Sequence, residues 1–217
     1  TPAIITTEKL PKNEVFEGIA QFILNLKSMG KIEDFNQIAF LFPSLSYRGV
    51  KNSAVADFEQ ALNELSQVLG FKGQRPDKEW KEGPDNLWVL DRTRYILWEC
   101  KNEVKIGRES INKRETEQMN RSCAWFEKYY PDCSVANIII HPSNKVNTAA
   151  SFIRNVEVMN VGGLKIFIGK VLKFYKSFET MDFNDLSSIK IQKLIDEYEL
   201  SLPTLLSKCS KTPHDLR

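Results

Sequence analysis

The chain has 217 residues, of which 42% are hydrophobic and 27% are charged, and its formal net charge is +2. These proportions are ordinary for a soluble globular protein with one large domain or a domain with extensions. No apolar run approaches the ~20 residues of a membrane-spanning helix, so we expect no membrane partner. A charge this close to neutral neither requires nor excludes nucleic acid as a partner.

The four cysteines are scattered along the chain, form no Cys-x-x-Cys pair and are accompanied by two histidines. Disulfide scaffolds and zinc centres show tighter spacing and more ligands, so the sequence argues against both. We therefore expect a reducing, cytoplasmic location. The chain starts at Thr1 with neither Met nor the charged and apolar regions of a signal peptide, and we expect a fragment of a longer protein or a processed one.

Hydrophobic periodicity predicts a mainly helical first part of the chain. Residues 13–30 are predicted to form a helix, whereas the short apolar run 37–42 fits either a strand or a buried helical turn. A clear amphipathic helix is predicted over 54–69, ended by Gly70. The next stretch, 72–84, is rich in charges, prolines and glycines and is predicted to be mostly loop.

Two short apolar runs on either side of a charged turn predict an antiparallel hairpin. The runs span 86–90 and 95–98, and the polar turn 91–94 separates them. Pairing the two strands brings the residues before the first run next to the residues after the second. The open end of the hairpin is therefore the place where side chains distant in sequence meet.

Three acid–base groups converge at that open end, because folding about the turn brings Asp85 beside Glu99 and Lys101. Successive side chains of a strand point to opposite faces, so Glu99 and Lys101 share one face and Cys100 points to the core on the other. A turn with an odd number of residues puts Asp85 on the Glu99 face and an even number puts it opposite, and the sequence leaves both open. Two carboxylates and an amine on one face can hold a hard cation and activate water.

After the hairpin, the pattern alternates between helices and strands. A helix is predicted from an N-cap at Ser110 to about Tyr130, where Pro131 stops it. The β-branched run 135–140 predicts a strand. The remaining predictions are a helix at 147–154, a strand at 156–159, a helix at 164–178 and an amphipathic helical tail at 185–207. This order around a hairpin predicts a mixed sheet in an α/β sandwich.

The element order and the motifs Pro84-Asp85 and Glu99-Cys100-Lys101 resemble the PD-(D/E)XK nuclease superfamily. The resemblance implies a restriction-endonuclease-like fold, in which a mixed β-sheet is flanked by helices as an α/β/α sandwich. It implies a nuclease-like core over 54–178, with a mainly helical N-terminal extension over 1–53 and a C-terminal helical extension over 179–217.

The short motif recurs in this chain, and its context selects one occurrence. The other matches are Pro76-Asp77, Pro131-Asp132, Glu79-Trp80-Lys81 and Glu103-Val104-Lys105. Only Glu99-Cys100-Lys101 stands at the end of a predicted apolar strand, and only Asp85 stands at the start of its partner strand. Asp77 remains an alternative to Asp85.

The resemblance also assigns roles at the hairpin. Asp85, Glu99 and the backbone carbonyl of Cys100 would bind Mg²⁺, with Mn²⁺ able to replace it. Lys101 would orient the attacking water or help deprotonate it, and its charge would stabilise the transition state.

Further residues around the hairpin receive roles from the same resemblance. Glu59, on the helix before the sheet, would bind a second ion or orient metal-bound waters, with Glu64 as the second choice. For the basic side chains among the predicted contacts, a solvated surface is the competing interpretation. The predicted nucleic-acid contacts are Gln118, Arg114, Arg121, Lys72 and Arg75.

These expectations describe a Mg²⁺-dependent nuclease that hydrolyses phosphodiester bonds of nucleic acid, with DNA as the expected substrate. A looser similarity over 83–88, 98–102, Gln118 and 125–126 is to nuclease-like modules at the C-terminal ends of some bacterial helicase proteins. It implies a helicase or ATPase region as partner, in the same or another chain, and a role in bacterial defence or repair. Two alternatives stay open: a catalytically inactive module of this fold that binds DNA or a partner protein, and a purely structural α/β domain.

Overall fold

A computed structural model describes residues 54–69, 71–177 and 188–216. The predicted extension over 1–53, with its helix at 13–30 and its apolar run at 37–42, lies outside the described residues. No helix in the part that the structure describes is long and apolar enough to cross a membrane.

The strands of the described residues are β1 (Lys72–Gln74), β2 (Asn86–Val89), β3 (Arg94–Cys100), β4 (Ser134–Ile140), β5 (Lys145–Val146), β6 (Val156–Met159) and β7 (His214–Asp215). The central sheet is mixed and five-stranded, with the order β1-β2-β3-β4-β6. Its first three strands pair antiparallel, whereas β4 and β6 continue the sheet in parallel from β3. A second sheet pairs the short strands β5 and β7 in parallel.

Helices cover both faces of the five-stranded sheet. They are α1 (Ala54–Val68), α2 (Pro76–Trp80), α3 (Lys113–Tyr129), α4 (Val161–Lys176), α5 (Ser188–Glu197) and α6 (Leu202–Cys209). The mixed α/β architecture with a helix-flanked sheet is confirmed, and the finer assignment to the restriction-endonuclease-like fold stays a prediction.

Strand alternation divides the core into two hydrophobic clusters. Trp88, Ile96 and Trp98 point to one face, where they pack with apolar side chains of α1, α4, α5 and α6. Leu87 and Leu97 point to the other face and pack with α3. Side chains that leave β3 at odd positions therefore face α3, and this alternation places the candidate site residues.

Several predicted elements are confirmed with small shifts at their ends. The helix predicted at 54–69 is α1, the strand at 135–140 is β4, the strand at 156–159 is β6 and the helix at 164–178 is α4. The helix predicted to start at Ser110 is α3, but its N-cap is Asn112. Asn112 and Glu115 form a capping box, in which each side chain bonds the other residue's backbone N–H.

The prediction of mostly loop over 72–84 was wrong, because the segment contains β1 and α2. Gly73 lies so close to α1 that an added Cβ would meet Asn63 Oδ1 at 2.4 Å and Ser66 Oγ at 2.5 Å. A glycine therefore permits this edge strand to pack against the helix. Pro76 stands in the first turn of α2, where a missing N–H costs nothing.

The prediction of a helix over 147–154 was also wrong. Asn147 Oδ1 accepts a hydrogen bond from the Ala149 N–H at 3.0 Å, which forms a local turn. Asn120 on α3 binds the Ser151 carbonyl and the Ile153 N–H, at 3.0 and 2.9 Å. These side-chain bonds hold the backbone of the segment in a path of turns and bends that competes with helix formation.

The helical tail predicted at 185–207 contains the helices α5 and α6 in its described part, from residue 188 onward. Between α5 and α6, Glu199 adopts a left-handed backbone with φ 57°, and Lys170 and Lys208 both bind its carboxylate at 2.5 Å. After α6, Lys211 exchanges two backbone hydrogen bonds with Val158 on β6. This part of the chain thus packs directly on the sheet.

Candidate active site

The register of the hairpin places Asp85 directly across from Glu99. Asn86 pairs with Trp98 and Val89 pairs with Tyr95, so five residues, 90–94, separate the paired ends. An odd number puts the two carboxylates on one face, the face that α3 covers. The sequence left open whether the turn has an odd or an even number of residues, and the observed odd number puts Asp85 and Glu99 on the same face.

The carboxylate of Asp85 links the two strands at the open end of the hairpin. Its Oδ2 accepts a hydrogen bond from the Cys100 N–H at 2.6 Å, and the residue is only 7% exposed. The Cys100 side chain is buried in the cluster on the opposite face, as predicted. The contact joins the start of one strand to the end of the next and fixes the position of the Asp85 carboxylate.

Glu99 has no exposed surface, and both of its carboxylate oxygens have partners. Ser122 on α3 donates its hydroxyl to Oε1 at 2.5 Å. Lys101, itself buried, places Nζ 3.3 Å from Oε2. Glu99 thus sits between a neutral donor on the helix side and a charged amine on the strand side.

Glu59 joins the group from α1. Its carboxylate forms an ion pair with the buried Arg75, and Arg75 Nη1 also donates to Gln60 at 3.4 Å. The Asn86 side chain binds the Glu59 carbonyl at 3.0 Å, which ties this turn of α1 to the start of β2. The helix before the sheet therefore holds a carboxylate close enough to Asp85 for the two charges to interact, and its role at the site stays a prediction.

Burial and mutual repulsion oppose full ionisation of the carboxyl groups in the cluster. Burial, and then repulsion by Asp85, raise the pKa of Glu99 to about 8 and that of Glu59 to about 7. Burial likewise raises the pKa of Asp85. Burial alone would lower the pKa of Lys101, but Glu99 and Asp85 outweigh it and the net effect is a raised pKa. A cation would relieve this repulsion between carboxylates.

The oxygen-rich donor set suits Mg²⁺, which prefers one or two carboxylates supplemented by water and phosphate oxygens. Asp85 and Glu99 provide two carboxylates at paired strand positions, and their mutual repulsion is the electrostatic condition that a cation removes. Within the described ranges, no group of three or more His, Cys, Asp or Glu side chains is arranged to hold a metal ion. A site built here would therefore combine two carboxylates with the predicted Cys100 carbonyl and with oxygens of water and substrate.

The predicted nucleic-acid contacts fall into two groups. Lys72, Arg114 and Arg121 are exposed and Gln118 is half-buried, so each can reach a ligand. Arg75 is different, and its prediction as a surface contact is corrected. Its guanidinium is 5% exposed and engaged by Glu59 and Gln60, because the unpredicted β1–α2 segment folds it inward against α1.

Sequence reasoning missed Ser122 at the site. Ser122 lies one helical turn after Gln118, so the i to i+4 spacing on the polar flank of α3 was the available signal. Glu103 belongs to the motif copy that its context set aside, but it lies in the turn after β3 and its charge raises the pKa of both Asp85 and Lys101.

Comparisons of the chain with protein-family models, with curated proteins and with solved structures found no match.

Proposed function

We propose that this protein is a Mg²⁺-dependent nuclease that hydrolyses phosphodiester bonds of DNA. The observation that supports the proposal is the register of β2 and β3, which extended by one residue sets Asp85 across from Glu99, with Lys101 beside Glu99. Three acid–base groups from separate parts of the hairpin meet at one buried end. The wider setting, a helicase-linked bacterial defence or repair assembly, rests on the sequence resemblance alone.

Each residue has a distinct part in this proposal. Asp85 and Glu99 would hold the ion, together with the Cys100 carbonyl. When bound, Mg²⁺ would polarise the scissile phosphate and stabilise the developing charge. Lys101 remains protonated because its pKa is raised, so it would orient water and stabilise negative charge rather than act as a base. Glu59 would orient solvent at the rim, since Arg75 already engages its carboxylate.

The direct test is cleavage of labelled single-stranded and double-stranded DNA with Mg²⁺, Mn²⁺ or EDTA. We expect metal-dependent cutting by the wild type and a loss of at least about 100-fold in Asp85→Asn and Lys101→Met. Asp132→Asn and Lys105→Ala, which change exposed residues of the unselected motif copies, are the matched controls and should cut normally. Undiminished cutting by both site variants, with circular dichroism showing that they are folded, would refute the proposal.

Exposed cations on α3 support DNA as the partner. Arg114 and Arg121 lie on the helix that packs over the site face, and both side chains are exposed. We expect their double replacement by Ala to weaken DNA binding by about tenfold or more and to reduce the salt dependence by about two counterions. The measurement is fluorescence anisotropy with Ca²⁺ in place of Mg²⁺. The matched control is the double replacement by Ala of Lys165 and Lys173, which are exposed on α4 at the other face of the sheet.

One observation favours the second candidate, a catalytically inactive module of the same architecture. Both oxygens of Glu99 are already bound within the protein, and the residue has no exposed surface. Such a module would bind DNA or a partner protein without a metal requirement. Calorimetry that detects Mn²⁺ binding to the wild type but not to Glu99→Ala would count against this candidate.

A further inference from the structure

Ser122 is a buried hydroxyl on α3 whose hydrogen bond leaves its own helix. The residue is 3% exposed, and its Oγ donates to Glu99 Oε1 at 2.5 Å across the helix–sheet interface. A serine within a helix commonly bonds a carbonyl of the preceding turn. Thr116, six residues earlier on α3, does so by donating to the Lys113 carbonyl at 3.0 Å. Ser122 instead directs its proton at the carboxylate of the candidate site.

This bond distinguishes the two oxygens of Glu99. Oε1 accepts the hydrogen bond from Ser122 on α3, whereas Oε2 lies 3.3 Å from Lys101 Nζ. A glutamate side chain has three rotatable bonds, and a carboxylate held at one oxygen loses the rotation that exchanges its two oxygens. The orientation of Glu99 therefore depends on a residue outside the hairpin as well as on Lys101.

We infer that Ser122 is a positioning residue that holds Glu99 Oε1, so that Oε2 is presented to a divalent cation beside Asp85 and Lys101. The inference rests on the proposed function, because it assigns Ser122 a role at the same site. Residues that bond a ligating carboxylate from behind act on metal affinity as well as on packing. Ser122 itself does not contact the ion.

The test is calorimetric titration of the metal-free, 217-residue chain with Mn²⁺. We expect Ser122→Ala to weaken Mn²⁺ binding roughly 10- to 100-fold. Thr116→Val is the matched control, because it removes a buried hydroxyl from the same helix that does not contact Glu99. It should bind Mn²⁺ within about twofold of the wild type.

A double-mutant cycle separates positioning from a purely structural role. If Ser122 acts through Glu99, then adding Ser122→Ala to Glu99→Gln should leave the residual Mn²⁺ affinity unchanged. An equal further loss in the double variant would overturn the inference. Ser122→Cys, which preserves packing with a weaker donor, covers the case in which Ser122→Ala does not fold. It should bind Mn²⁺ several-fold more weakly than the wild type, and wild-type affinity would overturn the inference.

The two proposals fail in different ways. Wild-type Mn²⁺ affinity in folded Ser122→Ala would remove the positioning role and leave the nuclease proposal standing. An absence of Mn²⁺ binding to the wild type itself would refute the metal-dependent nuclease and, with it, the role of Ser122.

Discussion

Glu99 illustrates at the residue scale how burial raises the pKa of a carboxyl group. Its carboxylate has no exposed surface and lies beside that of Asp85, so the protein disfavours the charged form and raises its pKa to about 8. Ser122 and Lys101 offset part of this effect through hydrogen bonds. The residue thus binds a proton in the pH range where an exposed glutamate would be fully ionised.

The raised pKa of Glu99 predicts a pH-dependent stability. Between pH 4.5 and about 8 the folded protein retains a proton that the unfolded chain releases, so the free energy of unfolding should fall as the pH rises. The slope from this group is at most about 1.4 kcal/mol per pH unit. Urea denaturation of the metal-free protein at several pH values measures it, and Glu99→Gln should flatten the profile. Exposed Glu117→Gln is the control, and an equally flat profile there would contradict the assignment to Glu99.

Arg75 carries a second residue-scale prediction. Removing it leaves Glu59 without its ion-pair partner in a partly buried position, so Arg75→Met should destabilise the fold by roughly 2 kcal/mol or more. The pKa of Glu59 would rise further, because Arg75 lowers it in the wild type. The loss should therefore be larger at pH 8 than at pH 5. Lys72→Met, at an exposed position of the adjacent β1, is the control, and its free energy of unfolding should stay within about 0.5 kcal/mol of the wild type. Both variants are measured by chemical denaturation. Equal losses would argue against a stabilising Arg75–Glu59 ion pair.

At the scale of elements, α3 has a capped start and a face that packs on the candidate site. Its capping box satisfies the first backbone donors through Asn112 and Glu115. Glu115 also lies 3.5 Å from the fully buried His141, which links the helix start to the loop after β4. About two turns beyond Glu115, Ser122 donates its hydrogen bond to Glu99. The contacts at the helix start therefore help to fix the position of Ser122 relative to the hairpin.

The capping box predicts which residue near the helix start matters for stability. Asn112→Ala should reduce the free energy of unfolding by about 1 kcal/mol, because the N–H of Glu115 loses its acceptor. Ser110→Ala, at the position that the sequence pattern favoured as the cap, should have a smaller effect. Thermal and urea unfolding of the two variants decide between them. A larger loss in the Ser110 variant would contradict the observed cap.

For the whole molecule, one close contact joins helices that cover the same face of the sheet, α4 and α6. α4 reaches the chain segment at the end of α6 through Gly163, where an added Cβ would meet the Cys209 carbonyl oxygen at 1.9 Å. That oxygen belongs to backbone, so a side chain cannot be accommodated by a rotamer change. The two helices can approach this closely only because position 163 is a glycine.

Two glycines of α4 provide a matched test of this packing. Gly163→Ala should destabilise the protein by about 1–3 kcal/mol or more, since backbone must shift to admit the methyl group. Gly169→Ala meets nothing within 4 Å and should stabilise the helix by about 0.5–1 kcal/mol. Melting temperatures measured by calorimetry should move in opposite directions. A shift of the same sign and size in both variants would contradict the close approach of α4 and α6.

The local features were predictable from the residues alone: the apolar runs and charged turn of the hairpin, the amphipathic stripes of α1 and α4, and the β-branched strand β4. These features depend on periodicity and turn chemistry within a few residues. Other features depend on contacts between distant segments and are visible only in the folded chain. Pairing fixed the parity that puts Asp85 across from Glu99. Packing against α1 turned Arg75 inward, and docking of α3 brought Ser122 to the site. Such contacts depend on the relative placement of whole elements, which a local pattern of residues does not encode.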